Sequence, residues 1–336
     1  MEQQLATWVK QQAGMAATGA LLPLSGDAGF RRYFRVANSQ PPVMAVYAPP
    51  ATENSEQYLA VSQLLASSGV RVPAVLATDL SRGFLLVEDC GDQLLLPALN
   101  DHSVDALYES ALAMLLALQS VSVPADAVPL YDGQRLWDEM ALFPTWFVQG
   151  LLDQPCGRNE QTLLDNCFDG LVHSALDQPQ VLVHRDFHAR NVMLCGELAE
   201  LVTIDFQDAV VGPITYDLVS LLRDCYIYWQ PERVKQWALA YRKKLINQGK
   251  PAGDSDQQFL QWFDFMGLQR HIKVLGIFAR LWLRDGKAGY LNDLPLVLHY
   301  TVSVAEQYPQ TAEFAQWMQE RILPACQRQP WWKPLP

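Results

Sequence analysis

The residues best suited to chemistry lie near the middle of the chain. His184-Arg185-Asp186 follows the apolar run Val181-Leu182-Val183, and Asn191 stands five residues beyond Asp186. Two short apolar segments, residues 192–194 and 201–204, then flank a turn at Gly196, and Asp205 follows the second. This pattern reads as an antiparallel hairpin. Asn191 precedes its first strand and Asp205 follows its second, so both fall at the open end, where paired strands stand about 5 Å apart. An amide oxygen and a carboxylate at that separation can share one hard cation such as Mg²⁺. Asp186, in the loop before the hairpin, can accept a proton from a hydroxyl. One acid to orient and deprotonate an alcohol, with two groups to hold Mg²⁺ on a nucleotide, is the minimum equipment for phosphoryl transfer.

Such a constellation needs a frame. Residues 2–20 read as a short helix, and residues 24–29 as a turn cluster. The alternating, aromatic-rich stretch 30–36 and the apolar stretch 43–47 read as strands. Residues 54–68 place Tyr58, Val61, Leu64 and Leu65 at helical spacing before Gly69. Short strands are expected at 74–78 and 83–87. Beyond Gly91 the pattern turns helical, over 103–120, 135–150, 158–176, 216–228, 231–248, 256–284 and 303–322. The fold expected is therefore α+β, a small sheet-rich unit at 1–90 followed by a larger helical unit at 91–336.

The chain has 336 residues, half of them apolar, enough for two cores and too many for global disorder. A formal charge of −11 argues against coating nucleic acid. No window holds the 18 or more apolar residues of a membrane span, and residues 1–20 lack the apolar core of a secretory signal. Six cysteines without CxxC or metal-ligand spacing are expected to be free thiols in a reducing, cytoplasmic setting. No obligate protein partner is evident.

The combination SGDAGFRRYFRV, LLVEDCGD, VHRDFHARNVM, IDFQDAVVGPITYDLVSLLRD and LQRHIKVLGIFARLWLRDGKAGYL resembles the phosphotransferases grouped with aminoglycoside and choline kinases. The resemblance implies the bilobal protein-kinase fold, with a nucleotide lobe at 1–90 and a catalytic and substrate lobe at 91–336. It implies ATP and Mg²⁺, with Asp186 as the base and Asn191 and Asp205 as metal ligands. The turn Ser25-Gly26-Asp27-Ala28-Gly29 would cover the phosphates, and backbone at Glu88 and Cys90 would meet adenine. His184, Arg185 and Asp217 would brace the catalytic loop, and Asp217 also stands where a helix N-cap should. Within that group the chain is similar to amino-sugar kinases of cell-wall (peptidoglycan) recycling, which phosphorylate the anomeric hydroxyl of N-acetylmuramate and N-acetylglucosamine. Competing readings are a kinase of another small alcohol, such as an aminoglycoside or choline, and a kinase-like interaction module without turnover.

The pattern departs from kinases at one point. They grip the nucleotide phosphates with a lysine on the third strand, yet no lysine occurs between Lys10 and Lys235. Arg31 or Arg32 could take its place. Strand alternation sends the two to opposite faces, and the sequence leaves the choice open. Only ten residues separate Asp205 from Tyr216, too few for the regulated activation segment of a protein kinase. Arg190, Asp208, Arg270 and Lys273 are candidate substrate contacts. Arg270, Lys273, Arg280 and Arg284 share one helix face, which could receive the lactyl carboxylate of N-acetylmuramate or could be a solvated face paired with acids from other helices. Trp137, Trp146 and Trp262 are candidates to stack on a sugar ring or to fill the core.

Overall fold

A computed structural model describes residues 1–12, 20–24, 30–196 and 199–334. The chain forms two compact units, Met1–Val128 with Ala189–Ala209, and Pro129–His188 with Val210–Pro336. This division falls elsewhere than the sequence break near 88–92, because a helix after that break and a later hairpin both pack within the first unit.

The first unit opens with α1 (Glu2–Lys10) and a five-stranded antiparallel sheet of β1 (Leu21–Pro23), β2 (Arg32–Val36), β3 (Val43–Tyr47), β4 (Val75–Asp79) and β5 (Phe84–Glu88), in the order β1-β2-β3-β5-β4. The alternation read from residues 30–36 sorts side chains onto two covered faces. Phe34, Val36, Val43, Ala45, Phe84 and Leu86 pack with Leu5, Trp8 and Val9 of α1. Val46, Leu85 and Val87 lie on the other face, packed with Tyr58 and Leu59 of α2 (Ser55–Ser67). Asn54 caps α2 by accepting the Gln57 N–H at 3.0 Å. Past β5 come α3 (Leu95–Ala98) and α4 (Val104–Leu118). The central segment supplies β6 (Gln180–Val183), β7 (Val192–Cys195), β8 (Glu200–Thr203) and β9 (Val210–Pro213). β7 and β8 make the expected hairpin and belong to the first unit, whereas β6 pairs with β9 in the second.

The second unit is helical around α9 (Asp256–Asp285), a 30-residue helix buried on all sides over its middle turns. Around it stand α5 (Gly133–Met140), a π-helical run Phe143–Leu151, α6 (Arg158–Leu176), α7 (Tyr216–Leu222), α8 (Pro231–Asn247), α10 (Leu294–Ala305), α11 (Ala312–Trp317) and α12 (Leu323–Gln327). Gly276 lets α9 lie against the π-helical run; a Cβ there would sit 2.5 Å from the Leu142 carbonyl carbon. The helix expected at 303–322 is broken after Ala305, because Pro309 pushes the preceding Tyr308 into extended backbone. No helix among the described residues is long and apolar enough to cross a membrane. The α+β architecture expected from the sequence, a sheet-rich part followed by helices, is the one observed.

Candidate active site

The hairpin holds its two oxygen donors as expected. Its ladder runs from Cys195 opposite Glu200 to Val192 opposite Thr203, and the Ile204 N–H continues it by donating to the Asn191 carbonyl at 2.9 Å. Asn191 and Asp205 are thereby brought to one end. Asp205 has a φ of 65°, in the left-handed region that non-glycine residues seldom occupy. It is exposed there, and Gln207 Nε2 donates to its Oδ1 at 2.8 Å. A solvent-facing carboxylate beside an amide is a hard-oxygen donor set of the kind Mg²⁺ takes, so these residues fit that ion. Asp208, three residues on, is also exposed.

The same unit settles how the two arginines lie. Arg32 is exposed and shares the sheet face of Phe34 and Val36. Arg31 lies on the α2 side, with its Nε 3.0 Å from Glu53 Oε2 and its guanidinium 5.1 Å from the Tyr58 ring centre. Burial raises the Tyr33 phenol, with Arg31 opposing and Asp205 adding to the rise. Tyr58 in turn stacks on Phe206, at 5.0 Å between ring centres. Val46 of β3 is buried on the α2 side, and β3 carries no lysine.

The segment after β5 is anchored on both flanks. Arg35 of β2 grips Asp89 and Asp92, Nε to Asp89 Oδ2 at 2.5 Å and Nη1 to Asp92 Oδ2 at 2.8 Å. The Glu88 carboxylate is taken by Arg71, at 2.5 and 2.8 Å, and by the Ala74 N–H. Glu88 therefore offers a ligand its backbone only. The N–H groups of Glu88 and Asp89 are themselves committed, to the Ala74 and Pro42 carbonyls. The turn Ser25–Gly29 lies outside the described residues.

In the second unit, Asp186 follows an Arg185 held at a φ of 75°. The brace for this strained loop is Asp217, fully buried, whose carboxylate accepts the N–H groups of His184 at 2.6 Å and Arg185 at 3.0 Å. Asp217 does not cap α7: Thr215 occupies that position, and Asp217 reaches the loop instead. Burial pushes its carboxyl up to about 7 against those two amides. Burial also raises Asp186, but the positive charge of Lys273, His188, Arg270 and His184 holds it below the ordinary carboxylate range. Asp186 is thus kept ionised, as a proton acceptor must be.

Lys273 and Arg270 form no solvated stripe; both are buried. Lys273 Nζ is 2.9 Å from Glu139 Oε2 and donates to Tyr216 Oη at 3.1 Å. Arg185 joins the same carboxylate at 2.5 Å, and the Tyr131 hydroxyl donates to it as well. Arg270 Nη1 donates to the Cys225 sulfur at 3.5 Å, a weak partner for a buried cation. Arg284 is exposed and paired with Asp285, and Arg190 is exposed. Trp262 is buried, and Trp137 and Trp146 are partly buried against the helical core.

Glu53 and Tyr58 beside Arg31, and Glu139 beside Lys273 and Arg185, are partners of the candidate residues that sequence reading passes over. Glu139 lies on an amphipathic helix and Glu53 in a polar loop, where acids are ordinary. Only the spatial arrangement marks them.

Residues 20–254 match the model of the phosphotransferase enzyme family. The chain is 40% identical to an N-acetylmuramate/N-acetylglucosamine kinase of Pseudomonas aeruginosa, over 92% of this chain and 90% of that one. It is 38% identical to the kinase of that name from Pseudomonas putida, over 95% and 96%. Among solved structures, a choline kinase from Streptococcus pneumoniae superimposes with a TM-score of 0.63 at 12% identity, covering 90% of this chain and 99% of that one. An aminoglycoside phosphotransferase with ADP bound does so with 0.60 at 14%, again over 90% and 99%. Those two likenesses concern the fold. The match of the family model over residues 20–254, with 38–40% identity to curated relatives across most of the chain, makes this protein a member of the phosphotransferase enzyme family.

Proposed function

We propose that the protein transfers the γ-phosphoryl group of ATP to the anomeric hydroxyl of N-acetylmuramate and N-acetylglucosamine, in the cytoplasmic recycling of peptidoglycan sugars. The observation that carries phosphoryl transfer is the hairpin that brings Asn191 and Asp205 to one end, five residues along the chain from an ionised Asp186. Identity to the amino-sugar kinases over nearly the whole chain supports the substrate class.

In this reading Asp186 accepts a hydrogen bond from the acceptor hydroxyl, aims its oxygen and takes its proton. Asp217 holds the loop in place through the His184 and Arg185 amides. Asn191 and Asp205 hold Mg²⁺, which when bound offsets the charge gathering on the phosphate oxygens. Arg31, fixed by Glu53, grips the phosphates in place of the missing lysine; exposed Arg32 takes no part. The Glu88 carbonyl and the Cys90 N–H meet adenine. Arg270 receives the lactyl carboxylate, Lys273 serves by keeping Asp186 charged, and Arg190 and Asp208 are surface contacts for the sugar.

A panel of acceptors with labelled ATP tests this. Label should enter the two N-acetylated amino sugars and require Mg²⁺. Label entering choline or an aminoglycoside instead, or no Mg²⁺-dependent ATP consumption with any acceptor, would overturn it.

A further inference from the structure

One pair of reactive side chains in the first unit has no part in the proposed chemistry. Cys90, in the segment after β5, and Cys195, at the end of β7, have sulfurs within 4.8 Å of each other. They are 105 positions apart in the chain, and two features bring them together. The Leu194 N–H donates to the Gln93 carbonyl at 2.8 Å, and Leu94 bridges Met193, so the segment lies antiparallel beside β7. Gly91, at a φ of 83°, then turns the chain, with its N–H held by Asp89 Oδ1 at 2.9 Å, and leaves Cys90 at the end of that strand.

The Glu88 carboxylate lies within the same distance of both sulfurs, which makes a metal centre conceivable. The Arg71 guanidinium already sits on that carboxylate through two short bonds. A cation would have to displace that guanidinium from the carboxylate. What remains is a dithiol. Its members differ in access: Cys90 is 5% exposed, and burial, with Cys195 adding, pushes its thiol up to about 12, whereas Cys195 is partly exposed.

We propose that Cys90 and Cys195 are an oxidation-sensitive dithiol, which a hydroperoxide closes into a disulfide that weakens nucleotide binding at the adjoining Cys90 backbone. The second half of this rests on the nucleotide site proposed above. The accessible Cys195 thiolate attacks the peroxide, the O–O bond breaks, and hydroxide or alkoxide leaves, giving a sulfenic acid. The Cys90 sulfur then attacks the Cys195 sulfur, the S–O bond breaks, and water leaves with the Cys90 proton. Two sulfurs are oxidised and one peroxide is reduced by two electrons. A disulfide needs its sulfurs about 2.05 Å apart, so the Cys90 segment must shift toward β7 and carry the amide with it. Hydrogen-bond strength falls steeply with misalignment.

The full-length reduced protein is treated with hydrogen peroxide and digested without reductant, and its affinity for ATP with Mg²⁺ is measured before and after. The expected result is a cross-linked peptide joining Cys90 and Cys195, two hydrogens lighter, and about fivefold weaker ATP binding (about 1 kcal/mol), both reversed by dithiothreitol. Cys195→Ser should bind ATP as the reduced parent does and should not respond to peroxide. Partly exposed Cys156 is the internal comparison and should not enter a cross-link. No Cys90–Cys195 peptide, or a mapped one with unchanged affinity, overturns the proposal. If the reduced protein binds no ATP, the nucleotide site fails and the coupling with it, while the peptide map still decides whether the dithiol closes.

Discussion

Arg31 Nε stands 3.0 Å from the Glu53 carboxylate, joining the start of β2 to the residues just before α2. In the proposed reading this pair takes the place of the third-strand lysine and helix glutamate of kinases, and Val46 of β3 is apolar.

Arg31→Ala should therefore raise the apparent KM for ATP or lower kcat by at least tenfold. Arg32→Ala, on the opposite face of the sheet and exposed, should match the parent within about twofold. Steady-state kinetics with ATP varied at saturating sugar checks both, and parental kinetics in Arg31→Ala would move the phosphate grip elsewhere.

Asp186→Asn should keep ATP affinity and lose about 10²- to 10⁴-fold in turnover, the range for a positioned general base. Because a loose phosphoryl-transfer transition state needs little deprotonation, part of that loss is lost orientation of the acceptor. Asp205→Asn should behave differently, shifting the Mg²⁺ requirement upward as well as slowing turnover. Titrating Mg²⁺ at fixed ATP separates the two variants.

Asp217 gives a pH signature. Burial raises its folded-state carboxyl to about 7, above the value near 3.9 of an unfolded aspartate. The folded state then holds this proton more tightly than the unfolded chain between those values. Its contribution is fully present below about pH 4 and is lost as pH rises through about 7. Urea unfolding from pH 5 to 8 should show stability falling more steeply in the parent than in Asp217→Asn, which cannot titrate. Parallel curves would contradict a protonating Asp217.

Arg270→Ala is expected to separate the two sugars. Buried, with the Cys225 sulfur as its hydrogen-bond acceptor and close enough to influence Asp186, Arg270 can receive an anion beside the base. A charge-assisted bond contributes about 1.5–3 kcal/mol, or about 10- to 150-fold. The variant should lose that factor toward N-acetylmuramate and little toward N-acetylglucosamine. Equal losses would make Arg270 a support for Asp186 rather than a substrate contact.

The hairpin at 192–203 and its flanking Asn191 and Asp205 were legible in the sequence because strand alternation and a local turn fix their placement within a few residues. The α2 helix was legible for the same reason. Relationships between distant segments were not legible in the spacing: the residues alone read Asp217 as a helix cap, and the family resemblance had it bracing the catalytic loop, which its carboxylate does at the His184 and Arg185 amides, 32 to 33 positions away. The cationic face of α9 misled in a similar way. Helical spacing correctly aligned Arg270 and Lys273, but only the packing of α5 brings Glu139 against that face and buries it. The break in the helix expected at 303–322 was written in Pro309, a local signal overridden by the apolar periodicity around it.

The most direct test of the central claim is ³¹P and ¹H NMR of the product formed from N-acetylmuramate and ATP with Mg²⁺. The account predicts a sugar phosphate whose phosphorus couples to the anomeric proton, and the same outcome with N-acetylglucosamine. Phosphate on any other oxygen, or unreacted sugar after ATP has been consumed, would contradict it.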